Sequence, residues 1–270
     1  MPVFQAAAVQ MAATPDKEAN LAVAERLARE AAADGAALVV LPEVFSWRGP
    51  RREESAVAEA IPGPTTEYCG RLARELGIYL VAGSILERGG AEDKPHNTSC
   101  VFSPEGRLVA RYRKIHLFDV DLPGQVSVRE SDTRAHGTEP VVVSTSLATI
   151  GLSICYDLRF PELYRRLVFS GATVVTVPAA FTAATGRAHW EVLLRTRAIE
   201  NQVYVLAPNQ FGRNPHGFDD YGHTMAVGPW GEVLGCAPTG ETVLRVSIDL
   251  DHLAKVRGEL PCLKHARLSY

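Results

Sequence analysis

Short apolar runs alternate along the chain with amphipathic stretches at helical spacing. Val3 to Met11 reads as a buried strand. Thr14 is placed to cap a helix, with Pro15 at its first position and Asp16 and Glu18 in its first turn. Leu21, Ala24, Leu27, Ala28 and Ala31 form an apolar face, and Gly35 ends it. Ala36 to Leu41 is apolar and too short for a helix, which predicts a strand buried on both faces. Strand, helix and strand with short connections make a parallel βαβ unit.

The pattern then breaks from Phe45 to Pro64, where Arg48 to Glu54 is dense in charge, predicting a loop or short-helix excursion. A helix follows over Thr65 to Leu76, stopped by Gly77, with Tyr68, Cys69, Leu72, Ala73 and Leu76 on one side. Strands are predicted at Ile78 to Ser84, Thr98 to Phe102 and Arg107 to Arg113, the last two joined by the turn Ser103-Pro-Glu-Gly106. Lys114 to Pro140 is polar and irregular, the kind of long loop that is usually functional or disordered. Strands resume at Val141 to Ser144 and Ala148 to Ile154, followed by a helix to about Ser170 with Pro161 in its first turn. Further strands read at Thr173 to Val177, Val203 to Ala207, His223 to Val227, Glu232 to Cys236 and Thr242 to Ile248. Helices read at Arg187 to Asn201 and Asp249 to Arg257, before an irregular tail from about residue 260. Neither repeat nor linker is visible, so residues 1–270 read as one α/β domain with two sheets covered by helices on the outside.

Composition narrows the class. The chain has 270 residues, 46% apolar and 22% charged, with a net charge of −3, which argues against nucleic acid or an anionic membrane as the main partner. No apolar run reaches the length of a membrane span, and the start Met1-Pro-Val-Phe-Gln lacks the basic and apolar regions of a secretory leader. Five cysteines without close spacing fit neither a disulfide framework nor a metal site, so free thiols in a reducing cytoplasm are expected.

Cys155 lies between the end of an apolar strand and the start of a helix, where unpaired N–H groups and a positive dipole end favour thiolate. A free cysteine is as often a small buried hydrophobe, and position alone does not choose. Cys69 and Cys100 sit on packing faces. Two more ionisable residues stand just past apparent strand ends, Glu43 and Lys114, and ligand sites in α/β folds gather at the carboxyl ends of strands. A thiol, a carboxylate to take its proton and an ammonium to hold an oxyanion suffice for acyl transfer. Singly, Glu43 also suits a helix start and Lys114 a solvated strand end. Together the three point to chemistry.

Leu41-Pro-Glu-Val44, Tyr112-Arg-Lys-Ile-His-Leu-Phe-Asp119 and Gly151-Leu-Ser-Ile-Cys-Tyr-Asp-Leu-Arg-Phe-Pro-Glu162 resemble the three signature regions of the nitrilase superfamily of carbon–nitrogen hydrolases. The likeness runs from about Val3 to Arg267. It implies a four-layer α-β-β-α sandwich, a triad of Glu43, Lys114 and Cys155, a supporting Glu130, and an oxyanion contact from the Tyr156 backbone N–H. It implies no metal and no organic cofactor. Ala188-His-Trp-Glu, Gln210-Phe-Gly-Arg213, Tyr221-Gly-His-Thr-Met225 and Pro229-Trp-Gly231 are similar to the branch holding deaminated glutathione amidase and omega-amidase. Gly228 stands where that branch commonly has Asp, and Arg187 where it often has Pro.

The resemblance implies hydrolysis of the primary amide of a small carboxylate through a thioester on Cys155, with deaminated glutathione amidase as the first reading and omega-amidase as the alternative. An N-carbamoyl amide or nitrile hydrolase, or a scaffold without activity, remains open. Arg159, Arg187 and Arg213 are candidates by charge for the carboxylate, each with a solvated or structural reading beside it. Trp190 and His189 are expected to pack, and His116 and His223 suit the pocket or its support. A homodimer or larger assembly is expected, pairing through helices that include the one after Cys155, with the tail Leu260 to Tyr270 able to cross.

Overall fold

In the computed structural model, which describes residues 3–124 and 126–268, the strands form two large sheets. The first runs, in spatial order, Thr242–Ile248, Phe4–Gln10, Ala36–Val40, Tyr79–Val81, His96–Phe102 and Ile85–Glu87, with Leu108–Arg113 also paired to His96–Phe102. The second runs Val233–Cys236, Met225–Val227, Tyr204–Ala207, Val174–Thr176, Thr149–Leu152 and Val141–Ser144. The middle strands of both are parallel, as the βαβ pattern predicts.

Alternation sorts the side chains into layers. Ala6, Leu38, Val40, Val81 and Val101 from the first sheet share one buried cluster with Ile150, Leu152, Val174, Val205 and Leu206 from the second, so the sheets pack face to face. On the far side of the first sheet, Val9, Val39, Leu80, Cys100 and Phe102 pack with Ala24, Leu27 and Ala28 of the Lys17–Ala33 helix and with Cys69, Leu72 and Ala73 of the Pro64–Leu76 helix. The second sheet is covered by Leu163, Tyr164 and Leu167 of the Pro161–Phe169 helix and by Trp190, Leu194 and Ala198 of the Ala183–Asn201 helix. The result is the α-β-β-α sandwich. Cys69 and Cys100 are core residues, and all five cysteines are unpaired. Among the described residues, no helix is long and apolar enough to cross a membrane.

Several predicted boundaries move, each for a local reason. The cap of the first helix is Asp16, whose carboxylate accepts the Ala19 N–H at 3.0 Å, while Thr14 is tied to Asn20 by its N–H at 2.9 Å. The expected strand Ile78 to Ser84 breaks after Val81 because Gly83 has φ +34. A Cβ there would overlap the Pro42 carbonyl oxygen and lie 2.6 Å from that of Leu41, so the segment leading to Glu43 can pass only beside a glycine. The long polar loop contains a hairpin, Asp119–Leu122 with Val126–Arg129, and a second unpredicted hairpin pairs Phe211–Arg213 with Asp219–Tyr221. Both are short and half exposed, so their alternation is faint in sequence. The Ala183–Asn201 helix starts one turn earlier than expected, with Thr182 as its cap. Trp190 is therefore inside the helix and fully buried, while His189 is exposed rather than packed. A short helix, Cys262–His265, interrupts the expected irregular tail, whose last two residues, Ser269 and Tyr270, lie outside the described residues, as do Met1 and Pro2.

Gly228 has a physical counterpart. A Cβ at that position would overlap the Glu232 carboxylate, which accepts the Trp230 N–H at 3.1 Å. Glu232 thus supplies at the turn a carboxylate of the kind an aspartate at 228 would bring. Arg187 is exposed on the outer helical layer.

Candidate active site

The three strand ends meet. Glu43 follows Ala36–Val40 by way of Leu41 and Pro42, Lys114 follows Leu108–Arg113 directly, and Cys155 stands just past Thr149–Leu152. All three are buried. The Lys114 Nζ donates to Glu43 Oε1 at 2.9 Å and to Glu130 Oε2 and Oε1 at 2.9 and 3.2 Å. Glu43 is further held by Asn97 Nδ2 at 2.7 Å and by the Ala180 N–H at 2.9 Å, from the loop after Val174–Thr176. Glu130 accepts the Phe118 N–H at 2.7 Å and Arg134 Nη1 at 2.6 Å, and Arg134 turns its remaining donors on Glu54 at 2.8 and 3.0 Å. Charges alternate along a buried chain from Glu43 to Glu54, so no ion lacks a counter-ion of opposite sign.

Backbone strain marks the same place. Cys155 has φ +46 and Val44, beside Glu43, has φ +47. Such conformations cost ~1–3 kcal/mol each and persist only where surrounding bonds impose them. For Val44 these are its N–H to Ser84 Oγ at 2.9 Å and the Gln210 amide on the Glu43 carbonyl at 2.8 Å. For Cys155 the anchor is Asp157, fully buried. Its carboxylate accepts the Ile154 N–H at 2.8 Å, the Tyr112 hydroxyl at 2.7 Å and the His116 N–H at 3.0 Å. His116 also places Nδ1 2.7 Å from it and stacks its ring on Phe160 at 3.6 Å. One carboxylate therefore ties the segment carrying Lys114 to the turn carrying Cys155.

Burial and the Glu43 carboxylate push the Cys155 thiol well above its ordinary value of 9.0, and Lys114 and the Ala180 N–H pull the other way without prevailing. The resting sulfur is a neutral thiol. The expected dipole effect does not dominate because Cys155 opens a tight Cys155–Arg159 turn and the α-helix starts only at Pro161. Burial opposes charge on Lys114 too, but Glu130 and Glu43 outweigh it and hold the ammonium more strongly than in water. Burial likewise opposes the Glu130 carboxylate, yet Lys114, Arg134 and the Phe118 N–H keep its pKa well below the usual range.

These groups line a partly open cavity together with Tyr156, Phe118, Phe181, Thr182, Arg48, Arg51, His216 and Phe218. The structure thus brings Glu43, Lys114, Cys155, Glu130 and Tyr156 to one pocket. It does not bring the three candidate arginines there. Arg213 is exposed and faces Asp219 at 3.6 Å, Arg187 is exposed, and Arg159 lies behind the wall, its guanidinium 5.2 Å from the Phe181 ring and 5.7 Å from the Tyr156 ring. The guanidiniums of the pocket are Arg48, Arg51 and Arg134. Arg48 and Arg51 belong to the charged stretch after the first motif, and that density of charge was the available signal. Of the remaining histidines, His223 stacks on Tyr221 at 4.1 Å and its carbonyl accepts the Trp190 indole N–H, away from the pocket lining.

Because Glu130 is held below its ordinary 4.5, its contribution to stability is complete above that pH and is lost as pH falls beneath it. Unfolding midpoints in urea should be level above pH 4.5 and decline in acid, and Glu130→Gln should flatten that acid limb while lowering the neutral plateau. An acid limb equally steep in the variant would remove Glu130 from this role.

The residues matching the carbon-nitrogen hydrolase family model are 5–258. The chain is 44% identical to the deaminated glutathione amidase of Bos taurus over 97% of this chain and 81% of that one. It is 41% identical to the omega-amidase NIT2 of Xenopus tropicalis over 99% and 96%. The crystal structure of the C. elegans NitFhit protein superposes with a TM-score of 0.91 at 37% identity, covering 98% of this chain and 65% of that longer one. Fold, site geometry and similarity agree: the chain belongs to the carbon–nitrogen hydrolase family.

Proposed function

We propose that the protein is a cysteine-dependent amidase that hydrolyses the primary amide of a small carboxylate to acid and ammonia, with deaminated glutathione amidase as the first reading and omega-amidase as the alternative. The observation that carries it is the Lys114 ammonium bound between Glu43 and Glu130 in the pocket that holds Cys155. The relatives named above supply the reaction class. Since the resting thiol is neutral, Glu43 takes its proton as the sulfur attacks the amide carbon. Lys114 and the Tyr156 N–H receive the oxyanion, and removing one such donor typically costs ~10²–10³ in rate. Glu43 returns the proton to the departing ammonia, then activates the water that hydrolyses the thioester.

A homodimer is supported by the outer layer. Val192 and Ile199 are 63% and 50% exposed on the helix whose other face carries Trp190, and Trp230, next in sequence to the Gly231 whose carbonyl accepts Arg195 Nε of that helix, is 61% exposed. An apolar strip on a helix already buried on its opposite side suits a second copy.

An ammonia-release assay across deaminated glutathione, 2-oxoglutaramate, a carbamoyl amino acid and a simple nitrile should show turnover with one of the first two, lost in Cys155→Ala with the fold intact. Release only from the nitrile or carbamoyl compound would change the substrate class, and full activity in Cys155→Ala would refute the mechanism. Light scattering should give at least twice the chain mass, as a homodimer or larger assembly requires, and a monomer mass would contradict it.

A further inference from the structure

The three guanidiniums of the pocket are unequally paired. Arg134 is held by Glu54 and Glu130, and Arg48 by both oxygens of Asp220, with Nη2 at 3.0 Å from Oδ1. Arg51, on the single turn Arg51–Glu53 that follows the Glu43 segment, has no such partner. Among the described residues no carboxylate lies within ion-pairing reach of it, and its Nη1 is enclosed without an acceptor. Buried donors without partners are uncommon, and each calls for an explanation such as a ligand.

Net charge is not that explanation. Glu43, Glu54, Glu130 and Asp220 balance Lys114, Arg48, Arg51 and Arg134. Burial and the Arg134 and Arg48 guanidiniums weigh against the charge on Arg51 and outweigh the attraction of Glu54 and Glu130. Arginine keeps its charge under these conditions. The half-buried guanidinium is therefore cationic, with its Nη1 enclosed and without an acceptor. His216, from the loop between the strands Phe211–Arg213 and Asp219–Tyr221, forms another part of the lining. Burial and the Arg48, Arg51 and Arg134 guanidiniums push its pKa down to about 4, so it stays neutral and adds no rival cation. The charged groups bearing most on Cys155 are instead Glu43 and Lys114. One cavity thus holds a reacting centre and a separate seat for an anion.

We propose that Arg51 binds the carboxylate of the substrate, receiving it on the guanidinium that lacks an acceptor while Cys155 attacks the amide carbon in the same cavity. The assignment rests on the amidase reading and adds to it the residue that makes the enzyme select an amide bearing an acid over a neutral one. A planar fork matched to a carboxylate gives geometry as well as charge.

The test compares kcat/KM for 2-oxoglutaramate with that for valeramide, a neutral amide of similar length, in native, Arg51→Lys and Arg51→Gln enzyme. The ratio of charged to neutral substrate should fall about 10–100-fold in Arg51→Gln, chiefly through KM, with Arg51→Lys between. A ratio that stays where it was overturns the assignment, whether both rates fall together or neither does. Glutarate titrated calorimetrically into Cys155→Ala, with and without Arg51→Gln, reads the same site without catalysis. Binding that disappears with Arg51 supports it. Binding that survives, or no glutarate binding to Cys155→Ala at all, refutes it. If no amide is turned over while glutarate binding still depends on Arg51, the amidase reading fails and the anion seat stands.

Discussion

The structure depends on an ammonium kept charged out of water. Lys114 has its nitrogen bound to Glu43 and Glu130 in a site where neither carboxylate nor lysine meets solvent to any extent. Taking those charges from water is costly, and only close geometry with every remaining lone pair satisfied makes it tolerable. That requirement accounts for much of the surrounding polar structure. Asn97 and the Ala180 N–H complete Glu43, the Phe118 N–H and Arg134 complete Glu130, and Glu54 in turn completes Arg134. Removing a charged partner leaves the buried network short of a counter-ion, at ~3–5 kcal/mol. The same constraint serves the chemistry, because a cation that cannot relax is already oriented for an oxyanion.

The sandwich exists, from the point of view of the site, to bring strand ends together. Parallel strands in the two sheets deliver Glu43 and Cys155 to the seam, and the edge strand Leu108–Arg113 delivers Lys114. The chain then holds Val44 and Cys155 at positive φ, which aims both side chains into one cavity at the expense of local strain. Asp157 offsets that strain by collecting donors from Ile154, Tyr112 and His116. A neutral thiol follows from the same closeness. The carboxylate that must accept the proton is also the charge that keeps the sulfur protonated until a substrate takes its electrons.

How much of this was legible in the sequence depended on how far each signal was local. The apolar strands and the helix faces with Leu27 or Leu72 were readable, because alternation and helical spacing record burial directly. Glu43, Lys114 and Cys155 were readable as strand-end residues within three separated motifs. Glu130 came only from resemblance, its four-residue relation to Arg134 having no meaning until both are buried. Arg48 and Arg51 read in sequence only as part of a charged loop, while the exposed arginines at 187 and 213 stand out by charge alone. Which arginine faces inward is decided by long-range partners, Asp220 for Arg48 being 172 positions away. The two short hairpins escaped for the related reason that half-exposed strands leave little hydrophobic pattern.

The central claim is that Cys155 carries the acyl group between attack and water. The most direct measurement is partitioning with hydroxylamine during turnover of the amide substrate. A thioester on Cys155 should be intercepted to give the hydroxamate in proportion to hydroxylamine, with ammonia release continuing and both products absent in Cys155→Ala. Ammonia release with only the free acid formed at every hydroxylamine concentration, or hydroxamate formed equally in Cys155→Ala, would contradict the account.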